Sequence, residues 1–132
     1  MNNLRKKFYL VPSVKNINKA SDKIEKKLFK KIIIKANRLV NNWEGKMYFV
    51  YLPSHKTYLE GTKYENQDYI FDFIKKLNIP IIDAHKEVFL LHKDPVSLFP
   101  LRIDGHYNSE GYKLISNKIK ERLVEDGYLP LK

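Results

Sequence analysis

Two short apolar runs, residues 47–52 and residues 79–82, constrain the fold of this chain more than any other feature. Neither run alternates apolar with charged residues, and Pro53 directly follows the first. Such runs are typical of strands that are buried on both faces, as in a parallel sheet. Because helical patterns separate and follow them, the sequence predicts an α/β fold with a short parallel sheet flanked by helices.

The first helical pattern begins at the capping signal Ser21-Asp22, with Glu25 three residues after the aspartate, and ends before Gly45. We expect its apolar residues to form a core-facing stripe because they recur at helical spacing. The stripe consists of Ile24, Leu28, Ile32, Ala36, Leu39 and Trp43, widened by Phe29, Ile33 and Val40.

Two further helices are predicted downstream. One spans residues 67–77, with a stripe of Ile70, Phe73, Ile74 and Leu77. The other follows a cap at Asn108 or Ser109 and closes at Gly127. Its predicted stripe consists of Tyr112, Ile115, Ile119 and Leu123. A shorter helix is predicted within residues 86–91, capped by Asp83.

The charge of the chain is concentrated at its N-terminal end. Residues 1–46 hold 13 Lys/Arg and 3 Asp/Glu, whereas residues 47–132 hold 12 of each, so the first part carries the whole net charge of +10. A solvated helix face is the simplest interpretation, although a basic segment can also bind nucleic acid or anionic lipid. Nucleic-acid binding is not expected, because most aromatic residues lie in apolar runs that suit a core better than a stacking surface.

Composition narrows the chemistry further. Cysteine is absent, which excludes a disulfide framework, a thiolate zinc site and a cysteine nucleophile. No apolar run approaches the roughly 20 residues that span a bilayer, and no signal-peptide pattern follows Met1, so as written the chain is expected in the cytoplasm.

The segment 104–112, DGHYNSEGY, contains the residues with the clearest catalytic chemistry. Histidine exchanges protons near neutral pH, and a nearby carboxylate can hold its ring in one tautomer. Asp104 lies two residues before His106, and Gly105 between them permits a bent loop. We therefore predict His106 as a general base with Asp104 as its partner, against the alternative of an ordinary Asp-Gly turn.

This segment resembles the C-terminal catalytic block of the SGNH/GDSL hydrolases through Asp104, His106, Asn108, Gly111 and Tyr112. Two other stretches extend the similarity: residues 94–102 and the strand-like residues 46–54. The resemblance implies a partial flavodoxin-like, three-layer fold in residues 21–132, preceded by a basic segment over residues 1–20. Its catalytic aspartate usually lies three residues before the histidine, where this chain has Ile103, so Asp104 departs from the common spacing.

The resemblance implies an ester or acyl hydrolase acting on a lipid, a small ester or an acetylated sugar, with no metal or organic cofactor. The family's nucleophilic serine lies in a Gly-Asp-Ser motif, which this sequence lacks, and its oxyanion-hole glycine and asparagine cannot be located either. Ser13, Ser54 and Ser109 have no glycine-rich turn around them and are better explained as polar loop residues. The chain is therefore expected to be inactive alone.

Two alternatives remain open from the sequence. Asp83-Ala84-His85 repeats the spacing of Asp104-Gly105-His106, and two such pairs at one rim could bind a metal ion, although these pairs are short enough to arise by chance. The second alternative is that the chain is a non-catalytic binding or assembly module that uses its basic N-terminal helix. A half-domain would also leave the edge of the strand at residues 47–52 open to a partner chain.

Overall fold

The computed structural model describes residues 14–59, 67–103 and 105–130, with side chains of the first helix from residue 25 onward. The predictions for the segment 1–13, for the packing of Ile24 and for Asp104 lie outside these residues. Five main elements are present, in the order helix, strand, helix, strand, helix: α1 (Val14–Asn41), β1 (Phe49–Tyr51), α2 (Gln67–Lys76), β2 (Ile81–Asp83) and α3 (Ser109–Glu125). None of the described helices is long and apolar enough to cross a membrane.

The chain forms two compact units, residues 1–46 and residues 47–132. In the first unit, α1 begins seven residues before the predicted start at Ser21. No glycine or proline lies between Val14 and Ser21, and a helix accommodates Ser and Asp in its interior, so the helix continues through the capping signal. The helix ends at Asn41, and Glu44, rather than Gly45, adopts the left-handed conformation of the terminating turn, with a φ of 61°.

The predicted core stripe of α1 is wrong for four of its described members. Ile33 is buried, whereas Leu28, Ile32, Leu39 and Trp43 are all more than half exposed. The helix carries apolar residues on two adjacent rows, and periodicity alone cannot choose which row is packed. Packing selects the row that contains Ile33, a residue that the sequence pattern placed only at the margin of the stripe.

In the second unit, β1 and β2 pair in parallel, with Phe49 opposite Ile81 and Tyr51 opposite Asp83. This confirms a small α/β fold built on a short parallel sheet. The strands are shorter than their apolar runs, because β1 covers Phe49–Tyr51 and β2 covers Ile81–Asp83. Residues of β1 are half-buried rather than fully buried, whereas Ile82 and Asp83 of β2 are buried.

The core of this unit lies beside the carboxyl end of the sheet. Phe89 and Phe99 are 0% and 1% exposed and pack with their ring centroids 5.8 Å apart. Around them lie Ala84, Val88, Leu98 and Ile115. Ile115 is thus confirmed as the core residue of α3, but the prediction of a buried Tyr112, one turn earlier, is wrong, because this side chain is 51% exposed.

The ends of α3 follow the sequence closely. The Asn108 side chain accepts a hydrogen bond from Gly111 N at 2.9 Å, which confirms it as the N-cap. At the other end, Gly127 has a φ of 80°, and Tyr128 N donates to Leu123 O at 2.8 Å. A glycine at this position closes the helix because it adopts the left-handed conformation without strain.

Candidate functional site

The carboxyl ends of the two strands lie at one edge of the sheet, because the strands are parallel and Tyr51 pairs with Asp83. The segment after β1 turns into a 3-10 helix at His55–Tyr58, and the segment after β2 forms a π-helical turn at His85–Phe89. In open α/β sheets this edge is where ligands bind. The loop that precedes α3 reaches the same edge through Tyr107, which contacts Pro53 just after the end of β1.

His106 itself is exposed, as is Gly105. Among the described residues, no side-chain hydrogen bond holds the His106 imidazole. The two residues after it are anchored: the Tyr107 hydroxyl donates to Pro53 O, and Asn108 N donates to Leu98 O at 2.9 Å. His106 is therefore presented outward from a loop whose C-terminal side is fastened to the end of β1 and to the core.

Asn108 fastens the loop a second time, because its Nδ2 donates to Ser97 O at 2.7 Å while its Oδ1 caps α3. Gly111 completes the arrangement by close packing. A Cβ atom at this position would lie 2.9 Å from Leu98 O and 3.0 Å from the Cβ of Tyr107. Gly111 is therefore a residue that allows the first turn of α3 to pack directly against the core.

Tyr107 is the site residue that sequence reasoning missed. Its ring packs 5.2 Å from both Phe89 and Phe99, and burial raises the pKa of its hydroxyl to about 12. The phenol thus remains a protonated donor to Pro53 O at neutral pH. Its position in the sequence offers one signal, because an aromatic residue between a polar histidine and a capping asparagine can fix a loop by packing into the core.

The neighbouring loop is clamped in an unusual conformation. Leu101 and Arg102 have φ values of 51° and 60°, in the left-handed region that side chains other than glycine rarely adopt. Two side-chain contacts hold Arg102: its guanidinium binds Asp94 at 2.6 and 3.2 Å, and its carbonyl accepts from His55 Nε2 at 3.1 Å. This strain just before the His106 loop is typical of functional regions, where the surroundings enforce it.

The second Asp-x-His pair has a different environment. His85 is 6% exposed, and its Nδ1 lies 3.1 Å from the Tyr58 hydroxyl oxygen. Burial lowers the pKa of His85 below its ordinary value, partly opposed by the charge of Asp83. The Oδ1 atom of Asp83 accepts from Lys86 N at 3.2 Å, as expected of a residue that caps the following turn, while its Oδ2 has no partner among the described residues.

The metal alternative gains no support from this geometry. Within the described ranges, no three His, Asp or Glu side chains are grouped closely enough to bind a metal ion. His85 is directed to Tyr58 in the core, and His92 Nδ1 accepts from Asp94 N at 3.1 Å.

The candidate serines that are described are exposed polar residues, Ser54 in a loop and Ser109 at the start of α3. Ser54 contacts Thr57, with 3.5 Å between the two hydroxyl oxygens. Ser109 is the first residue of α3. Ser13 lies outside the described residues.

The sequence matches no protein-family model, no curated protein and no solved structure.

Proposed function

We propose that this chain is the C-terminal catalytic part of an SGNH/GDSL-type ester or acyl hydrolase and supplies its histidine. One observation carries the proposal: His106 is exposed at the carboxyl edge of the sheet, while Tyr107 and Asn108 immediately after it are tightly anchored. A general base must be accessible to a substrate and also held in position. An ordinary surface turn needs no such anchors.

The roles follow from the chemistry of acyl transfer. A serine hydroxyl attacks the acyl carbonyl while His106 accepts the serine proton. His106 then gives this proton to the leaving alcohol or amine. Water hydrolyses the acyl-serine in a second step that uses the same histidine as base. Asp104 orients the ring and stabilises its protonated form. The serine and the oxyanion donors are supplied from outside this chain, so the chain alone is inactive.

The finer architecture is part of the same proposal. The predicted boundary between a basic leading segment and the α/β domain, at residue 21, falls inside α1. β1 and β2 are taken as two neighbouring strands of a flavodoxin-like, three-layer domain. The parallel pairing of β1 with β2 and the position of α3 directly after the histidine loop support this arrangement.

The first experiment tests the missing nucleophile. The purified chain and its His106→Ala variant are treated with a fluorophosphonate probe, which forms a covalent adduct with activated serines, and modified peptides are mapped by mass spectrometry. We expect no label that depends on His106. A His106-dependent label on Ser54, Ser109 or another serine would mean that the chain holds a complete site, and the half-site proposal would be wrong.

The second experiment tests the histidine directly and does not need the nucleophile. The tautomer of His106 is assigned from ¹⁵N-detected imidazole correlations above its titration range, in the wild type and in Asp104→Asn. If Asp104 orients His106, the wild-type ring carries its proton on Nδ1, and the variant loses this preference. Identical spectra in the two proteins would refute the pairing of Asp104 with His106.

A binding module remains the second candidate, and the exposed apolar row of α1 favours it specifically. Contiguous apolar surface on a soluble protein marks an interaction site more often than chance exposure does. This candidate does not depend on His106, and both functions can coexist in one chain.

A further inference from the structure

A row of large apolar side chains follows one side of α1 and the turn after it. Leu28, Ile32, Leu39 and Trp43 are 55%, 56%, 53% and 73% exposed. At 100° per residue, Leu28, Ile32 and Leu39 fall within roughly 40° of one another around the helix axis and extend over about 17 Å. Trp43 follows in the turn after the helix. We call these four exposed side chains the apolar ridge.

Cations border the apolar ridge along one side. Lys27, Lys31, Lys35 and Arg38 are all exposed, and helical geometry puts them beside the apolar row, with Lys35 between Ile32 and Leu39. The whole helix contains nine Lys/Arg and two Asp/Glu, a net charge of +7. The long methylene stems of lysine allow these charges to remain in a polar layer while the apolar row is buried.

The turn at the end of the helix holds the ridge's last residue. Trp43 N donates to Val40 O at 3.3 Å, and Gly45 N donates to the same oxygen at 3.0 Å. A Cβ atom on Gly45 would lie only 2.9 Å from Trp43 Nε1, so the indole packs across this glycine. The contact with Gly45 therefore holds the indole ring at the turn, while most of the ring surface remains exposed.

Charge and shape together select the partner. A second copy of this chain would bring two segments of net charge +10 together, which disfavours self-association. Nucleic acid would use the lysines but leave the apolar ridge in water. An anionic bilayer surface suits both the lysines and the apolar ridge. Its headgroups attract the lysines, and its acyl boundary accepts Leu, Ile and Trp without requiring a complementary groove.

We propose that the apolar ridge of α1 binds peripherally to anionic phospholipid bilayers, with Trp43 at the level of the headgroups. This proposal gives the binding candidate a defined partner and is independent of the hydrolase proposal. The helix lies in the plane of the interface and does not cross it.

Trp43 provides the assay, because it is the only tryptophan of the chain. The full chain is titrated with vesicles of equal parts phosphatidylglycerol and phosphatidylcholine, and with vesicles of phosphatidylcholine alone. We expect a blue shift of the Trp43 emission with the anionic vesicles and at least tenfold weaker binding to the neutral ones. Vesicle flotation measures the bound fraction independently of fluorescence.

Three variants test the mechanism. Replacing two cations, Lys31→Gln with Lys35→Gln, is expected to weaken binding roughly 20- to 30-fold, at about fivefold per charge. Leu39→Ser is expected to weaken it roughly tenfold through lost apolar contact. The control Leu91→Ser removes a side chain that is 78% exposed in the other unit and should bind like the wild type.

Three outcomes would overturn the proposal: no binding to anionic vesicles, equal binding to neutral vesicles, or equal weakening by Leu91→Ser and Leu39→Ser. Far-ultraviolet circular dichroism of each variant separates lost binding from lost folding. His106→Ala should bind vesicles like the wild type, so failure here and failure of the hydrolase proposal are distinguishable.

Discussion

Two Asp-x-His tripeptides occur in this chain, and the structure treats them in opposite ways. His85, from Asp83-Ala84-His85, is 6% exposed and is hydrogen-bonded toward Tyr58. His106, from Asp104-Gly105-His106, is exposed to solvent. The same spacing therefore yields a core histidine in one place and an accessible one in the other.

The difference comes from the residues on the C-terminal side of each histidine. After His85, Val88 and Phe89 are buried in the core, so the π-helical turn that contains all three residues packs against it. After His106, Tyr107 and Asn108 bind the loop to Pro53 and Ser97, and the histidine side chain remains exposed. A catalytic assignment based on the tripeptide alone cannot distinguish these cases, because solvent access is set by the neighbouring residues.

The largest expected effect compares the two histidines directly. His85→Ala should lower the free energy of unfolding by about 2 kcal/mol, because it empties a packed position and removes a partner of the Tyr58 hydroxyl. His106→Ala should change it by less than about 0.5 kcal/mol, as for other exposed positions. Urea denaturation measures both. A similar loss in the two variants would mean that His106 is a structural residue.

Gly111→Ala tests how closely the histidine loop is packed onto the core. The new methyl group would lie 2.9 Å from Leu98 O, a backbone atom that cannot move alone. We expect a loss of about 1–2 kcal/mol, although alanine favours helix formation. Asn117→Ala, at an exposed position of the same helix, is the matched control and should be neutral or stabilising. A stabilised Gly111→Ala protein would contradict the tight contact.

Tyr107→Phe tests the anchor to the end of β1. The substitution keeps the ring among Phe89 and Phe99 but removes the donor to Pro53 O, so we expect a loss of about 1 kcal/mol. Hydrogen exchange at residues 105–108 should become faster as the loop loosens. The control is Tyr112→Phe, because the Tyr112 side chain is 51% exposed. This variant should leave hydrogen exchange at residues 105–108 unchanged.

The smallest effect is a pH dependence of stability that belongs to His85. Burial lowers the pKa of folded His85 below its ordinary value of 6.5, so the unfolded state binds the proton more readily. Its stabilising contribution is therefore complete above about pH 6.5 and is lost as the pH falls through the lower, folded-state pKa. The free energy of unfolding of the wild type minus that of His85→Gln should decrease on acidification, and a flat difference would contradict the burial of a neutral His85.

Much of the secondary structure could be predicted from local patterns. The cap at Asn108, the closing Gly127 and the helix at Gln67–Lys76 are all predictable, because each depends on residues within a few positions of one another. The predicted start of α1 is wrong for the same reason: the Ser21-Asp22 signal is local, but a helix without a breaker extends past it.

The candidate site could be predicted only in part. His106 and the capping role of Asn108 followed from the motif, whereas the anchor formed by Tyr107 joins residues 54 positions apart in the sequence. The exposed row of α1 could not be told from a core stripe, since its spacing is the same whether the row faces protein or solvent.

By itself, the sequence determined the order and type of the main elements, the parallel character of the sheet and the Asp-x-His motif before the last helix, because these depend on periodicity, capping and breakers along the chain. Only the tertiary structure decided which histidine is accessible, which row of α1 is packed and which tyrosine anchors the loop. Those outcomes depend on contacts between residues far apart in sequence, such as Tyr58 with His85 and Tyr107 with Pro53, and no local pattern encodes them.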